Sequence, residues 1–524
     1  MARPLSRREV VASGIKAAIA AALPWSLGCT PNGSSSGGRP RPLPQPRVLR
    51  SKDKALHVTL TAVEGEVNMG APKLVTTYTY DRVVPGHTWE VSAGDTLEID
   101  LINHLPTLPP APPDLTRPHA WTTTNLHTHG LHVSPAGNAD NIFLEIPPGG
   151  AHRLTIPLPA DHPGGIFWYH PHKHGGVAQQ VRGGMAGMII VRGAIDQVPG
   201  VRAAREQVMV LQAIELGPDY RLMDPIPHPS KDEAFFPRTQ ILYTVNGVLT
   251  PRITMYPGEV QRWRLLNAAE GKFMSLRLAE HQLYVLAWDG LTLAAPVPQR
   301  DVMLSPGNRA DVLVKAGRPG IYQLVLTPGS SQHPDIPGMP EAGPSTQPVA
   351  PPEVTSELDP RPIVTIEVKG EGPAMALPTS LPAYNPASRP IARRRAVRYT
   401  VERGPDHEFH SFGVDGVPFD PKREPYRMKL GTAEEWTLIN DADPKLPRHA
   451  HVVHIHVNPF KVTKINGRTL DPPQWRDTMV LTGSDGDSIT LETHLDDFAG
   501  RFVQHCHVLS HEDLGMMESV EITP

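Results

Sequence analysis

The chain of 524 residues is too long for a single hydrophobic core, so we expect two to four domains. Its net charge of -4 at pH 7 is small for this length and no basic face stands out, which leaves nucleic-acid binding without support. The 59 prolines and 44 glycines favour many short strands and turns over long helices.

The first 29 residues are predicted to be a targeting segment. Residues 6–11 resemble a twin-arginine signal, and the Ala-rich stretch from Ile15 to Leu23 is too short to cross a membrane. We therefore expect export by the twin-arginine route to the periplasm or the exterior. Cys29 follows a stretch that resembles a lipoprotein cleavage site, although Ser26 stands where a branched apolar residue is usual. Lipid attachment of Cys29 to a membrane stays an alternative.

An internal repeat begins beyond a Gly/Ser/Pro-rich linker at residues 30–50. Its copies are residues 93–103, 257–267 and 430–440. Each copy reads as a turn that feeds an alternating strand and ends in Asn. Recurrence at this spacing indicates three units of similar plan.

A second pattern, which also recurs once per unit, occupies residues 165–172, 320–327 and 500–507. Turn signals at short intervals accompany both patterns. Together they predict an all-β chain of three consecutive Greek-key sandwiches or barrels.

We place the three domains at residues 51–196, 197–372 and 396–524. A Pro-rich insert at residues 328–362 interrupts the second domain, and a linker at residues 373–395 leads to the third.

The second pattern distinguishes the middle unit from the other two. Its paired positions hold two histidines in the first and third units but Val325 and Thr327 in the second. The residue between them is Pro171, then Leu326, then Cys506. The middle unit therefore looks structural, and only the third unit can hold a thiolate metal site.

Four His-x-His motifs are the candidate ligand pairs, two in the first unit and two in the third: His127–His129, His170–His172, His454–His456 and His505–His507. Because side chains alternate along a strand, the two histidines of each motif share one face. Eight imidazoles that converge from two domains can hold three copper ions, with two, three and three ligands.

The last motif carries a second site on its other face. On a strand, Cys506 points away from His505 and His507, and both His511 and Met516 follow at short spacing. Thiolate, imidazole and a weak thioether form the ligand set of a blue-copper electron-transfer site.

His451 completes this second ligand set. It stands three residues before His454, so strand parity turns it to the side on which Cys506 emerges. Whether Cys29 is cleaved off or carries a lipid, Cys506 is the one cysteine left with a thiol, so no structural disulfide is available within the mature chain.

The motifs HTHG, WYHPHKHG, HVVHIH and HCHVLSHEDLGMM follow one another in this order. Together they resemble the multicopper oxidases, the family of laccases, bilirubin oxidases and bacterial cuprous oxidases, from about residue 51 to the end. The resemblance implies three cupredoxin-like Greek-key β-barrel domains and four copper ions. The implied ligands are His127 and His454 for type 2 copper; His129, His170 and His507 for one type 3 ion; His172, His456 and His505 for the other; and His451, Cys506, His511 and axial Met516 for type 1 copper.

Two carboxylates also match the family. Glu512 directly follows a type 1 ligand and matches the acid that relays protons to oxygen in relatives. Asp140 matches the acid near the first His-x-His motif, although the local spacing differs. The alternative for each is a solvated loop carboxylate.

The resemblance implies an oxidase that couples one-electron donors to the reduction of dioxygen to water. We expect a laccase-like monomer that oxidises phenols or aryl amines. A metallo-oxidase acting on Cu(I), Fe(II) or Mn(II) is the alternative, although the Pro-rich insert holds only Met339. A non-catalytic scaffold of the same fold is the other alternative, against which the complete ligand set argues.

Overall fold

The computed structural model describes residues 40–109, 114–227, 233–327, 360–403, 410–442, 449–482 and 486–524. The predicted targeting segment with Cys29, and residues 328–359 of the predicted insert with Met339, lie outside the described residues.

The first pair of sheets contains β1 (Val48–Arg50), β2 (Ala55–Val67), β3 (Val75–Tyr80), β4 (Thr88–Ser92), β5 (Thr96–His104), β6 (His127–His129), β7 (Ala151–Pro157), β8 (Gly165–His170) and β9 (Gly187–Arg192). The strand orders are β3-β2-β5-β7 and β1-β4-β9-β8-β6. Helix α1 (Val177–Gly183) precedes β9, and a 3-10 helix (Ala194–Gln197) and α2 (Pro199–Arg202) lead onward.

The second pair contains β10 (Arg205–Leu216), β11 (Gln240–Val245), β12 (Arg252–Met255), β13 (Val260–Asn267), β14 (Met274–Leu278), β15 (Leu283–Trp288), β16 (Leu291–Gln299), β17 (Asp301–Leu304), β18 (Arg309–Lys315), β19 (Gly320–Thr327) and β20 (Arg361–Val368). The strand orders are β11-β10-β13-β18-β15-β16 and β12-β20-β19-β14-β17.

The third pair contains β21 (Ile391–Arg403), β22 (His410–Val414), β23 (Tyr426–Lys429), β24 (Thr432–Ala442), β25 (His451–Ile455), β26 (Phe460–Ile465), β27 (Arg468–Arg476), β28 (Thr478–Leu481), β29 (Ser488–Leu495), β30 (Gly500–Cys506) and β31 (Met517–Thr523). The strand orders are β22-β21-β24-β29-β26-β27 and β23-β31-β30-β25-β28, and helix α3 (Leu509–Asp513) joins β30 to β31. These pairs of sheets confirm the predicted all-β class.

The repeat seen in the sequence is a structural repeat. Its copies form β5, β13 and β24, each of which pairs in parallel with the first long strand of its unit. The preceding turns hold Gly94, Gly258 and Gly431 at φ of 81°, 78° and 77°, where a side chain would be strained. Burial alternates strictly along β5, which packs Leu97 and Ile99 into the core.

The Asn that ends each copy holds the loops beside it. The buried amides of Asn103, Asn267 and Asn440 each donate to two backbone carbonyl groups from neighbouring loops, at 2.7 to 2.9 Å. A buried carbonyl without a partner is costly, so these amides stabilise irregular chain that the sheets cannot pair.

Helix α3 is held by both other domains. The carboxylate of Glu270 accepts the backbone N–H of Ser510 at 2.7 Å. Asp513, which is fully buried, accepts the backbone N–H groups of Gly175 at 2.5 Å and Ala178 at 2.8 Å. These contacts fix α3 between the first and second pairs of sheets.

The domain limits stay predictions, but two segments predicted as linkers contribute strands. Val48–Arg50 pairs in parallel with β4, and β21 begins at Ile391, which pairs with Ala433. In the described part of the chain, no helix has the length and apolar character needed to span a bilayer.

Candidate metal centre

Two antiparallel strand pairs bring the His-x-His motifs together. The pairing of β6 with β8 sets His127 opposite His170, and the pairing of β25 with β30 sets His454 opposite His505. All the predicted trinuclear histidines are at most 1% exposed: His127, His129, His170, His172, His454, His456, His505 and His507. The rings of the first and third domains stack directly, with His129 and His454 centroids 3.7 Å apart.

Backbone and carboxylate acceptors engage one nitrogen of several rings and leave the other one free. Nδ1 of His127 lies 2.9 Å from Asp140 Oδ2, that of His170 lies 2.8 Å from the Pro171 carbonyl, and that of His454 lies 2.7 Å from the Asp477 carbonyl. Among the described residues, the buried Nε2 atoms of these three rings have no hydrogen-bond partner. Burial lowers the pKa of His170 and His454 well below 6.5, so each ring is neutral and offers a lone pair to a metal.

A second group faces inward through three Nε2 atoms. The Nε2 atom of His505 lies 3.3 Å from that of His172 and 3.3 Å from that of His456. These rings lie close enough to share one metal ion. Burial lowers the pKa of His172 and His505 to about 3, so the rings do not repel one another as cations.

Glu512 lies behind this group. Its fully buried carboxylate is 2.9 Å from His505 Nδ1 and 3.4 Å from His172 Nδ1. Burial raises the pKa of Glu512 to about 7. The carboxyl therefore lies beside the rear nitrogens of two rings whose front nitrogens converge, without a hydrogen bond to either among the described residues.

Asp140 lies at the other end of the cluster. Besides His127 Nδ1, it accepts the backbone N–H of Thr128 at 2.8 Å. The side chain is 5% exposed, so it is not a solvated loop carboxylate. The unusual spacing in the sequence still brings the acid to the first His-x-His motif.

Asp477 and Thr478 belong to the cluster but were missed in the sequence. Nε2 of His129 lies 3.1 Å from Thr478 Oγ1 and 3.6 Å from Asp477 Oδ1, which leaves its Nδ1 without a hydrogen-bond partner among the described residues. His129 thus presents the opposite nitrogen from His127 and His454. The sequence signal for this pair is weak, a polar Asp-Thr pair at the start of an apolar strand.

The second site forms around Cys506, which is fully buried. Its Sγ lies 3.7 Å from Nδ1 of His451 and 3.7 Å from Nδ1 of His511. The backbone N–H of Val452 approaches the sulfur at 3.4 Å. Burial raises the pKa of Cys506 to about 12, so the thiolate form depends on a bound cation to stabilise it.

Met516 lies in the same core as Cys506, whereas Met517 does not. Met516 is fully buried in the cluster that contains Cys506, and its carbonyl accepts the Cys506 N–H at 3.0 Å. Met517 pairs with His505 and packs with Val503 in a separate cluster. This arrangement favours Met516 as the thioether of the second site.

The two sites share one tripeptide. Cys506 reaches the side of His451 and His511, while His505 and His507 reach the buried histidine cluster. Only the backbone between adjacent residues separates the sites. The donor set fits copper, because imidazoles and one thiolate with a nearby thioether are the ligands of copper electron-transfer sites.

The chain is similar to known proteins in sequence and in fold. Family models described as multicopper oxidase match residues 117–195, 219–340 and 390–524. The chain belongs to the multicopper oxidase family. Membership confirms the predicted class, a copper-dependent oxidoreductase that uses oxygen.

Individual relatives are distant but nearly full-length. The multicopper oxidase mco of Staphylococcus epidermidis is 23% identical over 91% of this chain and 92% of its own. The cell division protein FtsP of Shigella dysenteriae is 27% identical over 91% of each chain. The structure of a multicopper oxidase from Campylobacter jejuni, described as a metallo-oxidase, superposes with a TM-score of 0.72 at 23% identity, over 94% of this chain and 98% of that one. This likeness confirms the cupredoxin-like fold.

Proposed function

We propose that this multicopper oxidase couples the one-electron oxidation of phenols or aryl amines to the four-electron reduction of dioxygen to water. The observation that carries the proposal is the tripeptide His505–His507, whose Cys506 contacts His451 and His511 while its histidines enter the buried cluster. When bound, copper ions supply reversible one-electron chemistry at one site and oxygen binding at the other.

The proposed copper count is four, with the ligands implied by the family. His451, Cys506, His511 and Met516 would hold the type 1 ion. The cluster would hold the other three ions: His127 and His454 the type 2 ion, His129, His170 and His507 one type 3 ion, and His172, His456 and His505 the second. The close approach of the last three rings supports that assignment.

Residues of the chain perform the accompanying tasks. Cys506 and its flanking peptide bonds provide a covalent path from the site around Cys506 to the histidine cluster. Glu512, in contact with His172 and His505, is placed to hold a proton beside the oxygen site. Asp140 orients the His127 ring and fixes its tautomer.

An organic donor is supported by the surroundings of the second site. The ring of Phe412 stacks on that of His511, with centroids 4.4 Å apart. Phe235 and Phe273 pack, partly buried, against the same core. Among the described residues, the groups of three or more side chains that could bind a metal all include histidines of the two copper sites or Asp477 beside them. A dedicated site for a metal-ion substrate is not among them.

A donor screen tests the proposal. The copper-loaded protein should consume oxygen faster with a phenol such as 2,6-dimethoxyphenol than with Cu(I) or Fe(II), and Glu512→Gln should slow oxygen consumption while leaving reduction of the blue copper fast. A clear preference for a metal ion would favour the metallo-oxidase instead, which the description of the Campylobacter jejuni structure makes the second candidate.

Copper analysis separates both enzymes from a scaffold. The similarity to the cell division protein FtsP makes a non-catalytic scaffold an alternative hypothesis. The presence of every predicted copper ligand in this sequence argues against that hypothesis. Absence of bound copper after reconstitution would favour the scaffold. We also propose that the protein is exported by the twin-arginine route and that it is a monomer. Mass spectrometry of the mature N-terminus tests both the export and the lipid attachment at Cys29.

A further inference from the structure

The middle domain, which has no His-x-His motif, touches the histidine cluster through the loop between β17 and β18. Gly307 in this loop adopts φ of +84°. A Cβ atom at this position would lie 3.1 Å from the His507 ring and 3.2 Å from the His129 ring, which is tighter than ordinary packing. Only glycine therefore allows the loop to approach both rings without displacement.

Arg309, at the start of β18, is fully buried and uses all of its donors. Nη1 donates to Asp477 Oδ1 and to the Gly307 carbonyl, both at 2.9 Å. Nη2 donates to Asp477 Oδ2 at 2.5 Å and to the Asp289 carbonyl at 3.0 Å, and Nε donates to the Ile166 carbonyl at 3.2 Å. The guanidinium thus forms a bidentate interaction with both carboxylate oxygens of Asp477, a geometry that lysine cannot reproduce.

Asp477 and Thr478, which Arg309 holds in place, in turn contact two histidines of the cluster. The carbonyl of Asp477 accepts from His454 Nδ1 at 2.7 Å, and its Oδ1 accepts the Thr478 hydroxyl at 2.9 Å. The Thr478 oxygen lies 3.1 Å from His129 Nε2. The position of one dipeptide therefore decides which nitrogen of each ring faces the cluster.

We propose that the middle domain positions the trinuclear copper ligands, with Arg309 holding Asp477 and Thr478 in place and Gly307 setting how closely the loop packs on His129 and His507. Arg309 is a positioning residue, because its donors go to Asp477 and to backbone carbonyl groups and none goes to a predicted copper ligand. The inference rests on the proposed copper function. It gives a chemical role to a domain whose paired positions, Val325 and Thr327, carry no ligand.

Arg309→Lys tests the bidentate contact between Arg309 and Asp477, and Arg262→Lys is its matched control. Arg262 is equally buried in the same domain and binds Asp311 through Nε at 2.9 Å and Nη2 at 2.5 Å, but it has no hydrogen bond to Asp477 or the histidines. Loss of an orienting contact behind metal ligands typically weakens metal affinity about 10- to 100-fold. Arg309→Lys should weaken copper binding at the trinuclear site by that factor and alter the type 2 electron paramagnetic resonance spectrum. The blue absorption of type 1 copper should stay unchanged in both variants.

Gly307→Ala keeps the inference testable if the lysine variant does not fold. Gly94→Ala is its control, because Gly94 has φ of +81° but its nearest neighbour to an added Cβ is 3.8 Å away. Both variants carry the same backbone strain, and only Gly307→Ala should change the trinuclear spectrum. Wild-type spectra and copper affinity in both Arg309→Lys and Gly307→Ala would overturn the inference. Wild-type protein that binds no copper would overturn the proposed function, and this inference with it.

Discussion

Asp140→Asn is the sharpest test of how the cluster selects a ligand nitrogen. The ionised carboxylate can only accept hydrogen bonds, so His127 must carry its proton on Nδ1 and turn a bare Nε2 toward the cluster. An asparagine whose oxygen keeps the Thr128 N–H would turn its amide N–H toward His127 Nδ1. The ring would then adopt the other tautomer, with a proton on the nitrogen that the metal requires.

The size of the effect follows from the two contacts. Asp140 loses one charge-assisted hydrogen bond in a site that is 5% exposed, and such a bond contributes about 1.5 to 3 kcal/mol. Most of this free energy should appear in metal binding, because the alternative tautomer must be reversed before copper can bind. Each 1.4 kcal/mol corresponds to about a tenfold change, so copper affinity at His127 should fall about 10- to 100-fold.

Competition with a copper chelator, read by the type 2 electron paramagnetic resonance signal, measures this affinity. Asp100→Asn provides the control, because Asp100 is an exposed carboxylate paired with Arg153 at 2.6 Å and its replacement removes the same charge. The control should bind copper as the wild type does. If Asp140→Asn retains the wild-type affinity and spectrum, then the Asp140 contact does not set the His127 tautomer.

Three further predictions address other parts of the molecule. Cys506→Ser should abolish the blue absorption and turnover but keep the type 2 signal, since no cluster histidine is removed; a persistent blue band would contradict the assignment. Asp513→Asn should lower the free energy of unfolding by about 2 kcal/mol, because Gly175 and Ala178 donate to different oxygens of Asp513 and asparagine replaces one of them with an NH2 donor; denaturant titration measures the change. Burial lowers the pKa of His162 to about 4, so its contribution to the free energy of unfolding is fully present above about pH 6.5 and is lost as the pH falls toward about 4. Relative to His162→Gln, the wild type should lose about 3 kcal/mol of unfolding free energy over this window. Parallel pH profiles of the two proteins would refute the prediction.

Strand parity predicted the arrangement around Cys506 because all the relevant information is local. Adjacent residues on a strand point in opposite directions whatever surrounds them, so Cys506 and His505 had to serve different sites. The three-residue step from His451 to His454 follows the same rule, and the structure puts His451 beside Cys506 and His454 beside His129. The repeated Gly positions likewise have a local cause, in turn geometry.

Asp477 and Arg309 could not be predicted in this way, because their role depends on contacts between distant segments. They are 168 residues apart in the chain, and each begins or precedes an apolar strand of its own domain. Nothing in either local pattern distinguishes a buried ion pair behind a metal ligand from an ordinary strand end. Gly307 is similar: its sequence reads as a turn, and only the packed fold shows the rings of His129 and His507 beyond it.

Helix α3 extends the parity argument from strands to helices. Successive residues of an α-helix point about 100° apart, so three consecutive side chains face three directions. His511 lies beside Cys506, Glu512 beside His172, and Asp513 against the first domain. The side chain beside Cys506, the carboxyl beside His172 and the contact with the first domain are therefore placed by one turn of backbone, and Glu270 of the middle domain accepts a hydrogen bond at the start of that turn. A change that rotates α3 must disturb all three together, whereas a change in one side chain can separate them.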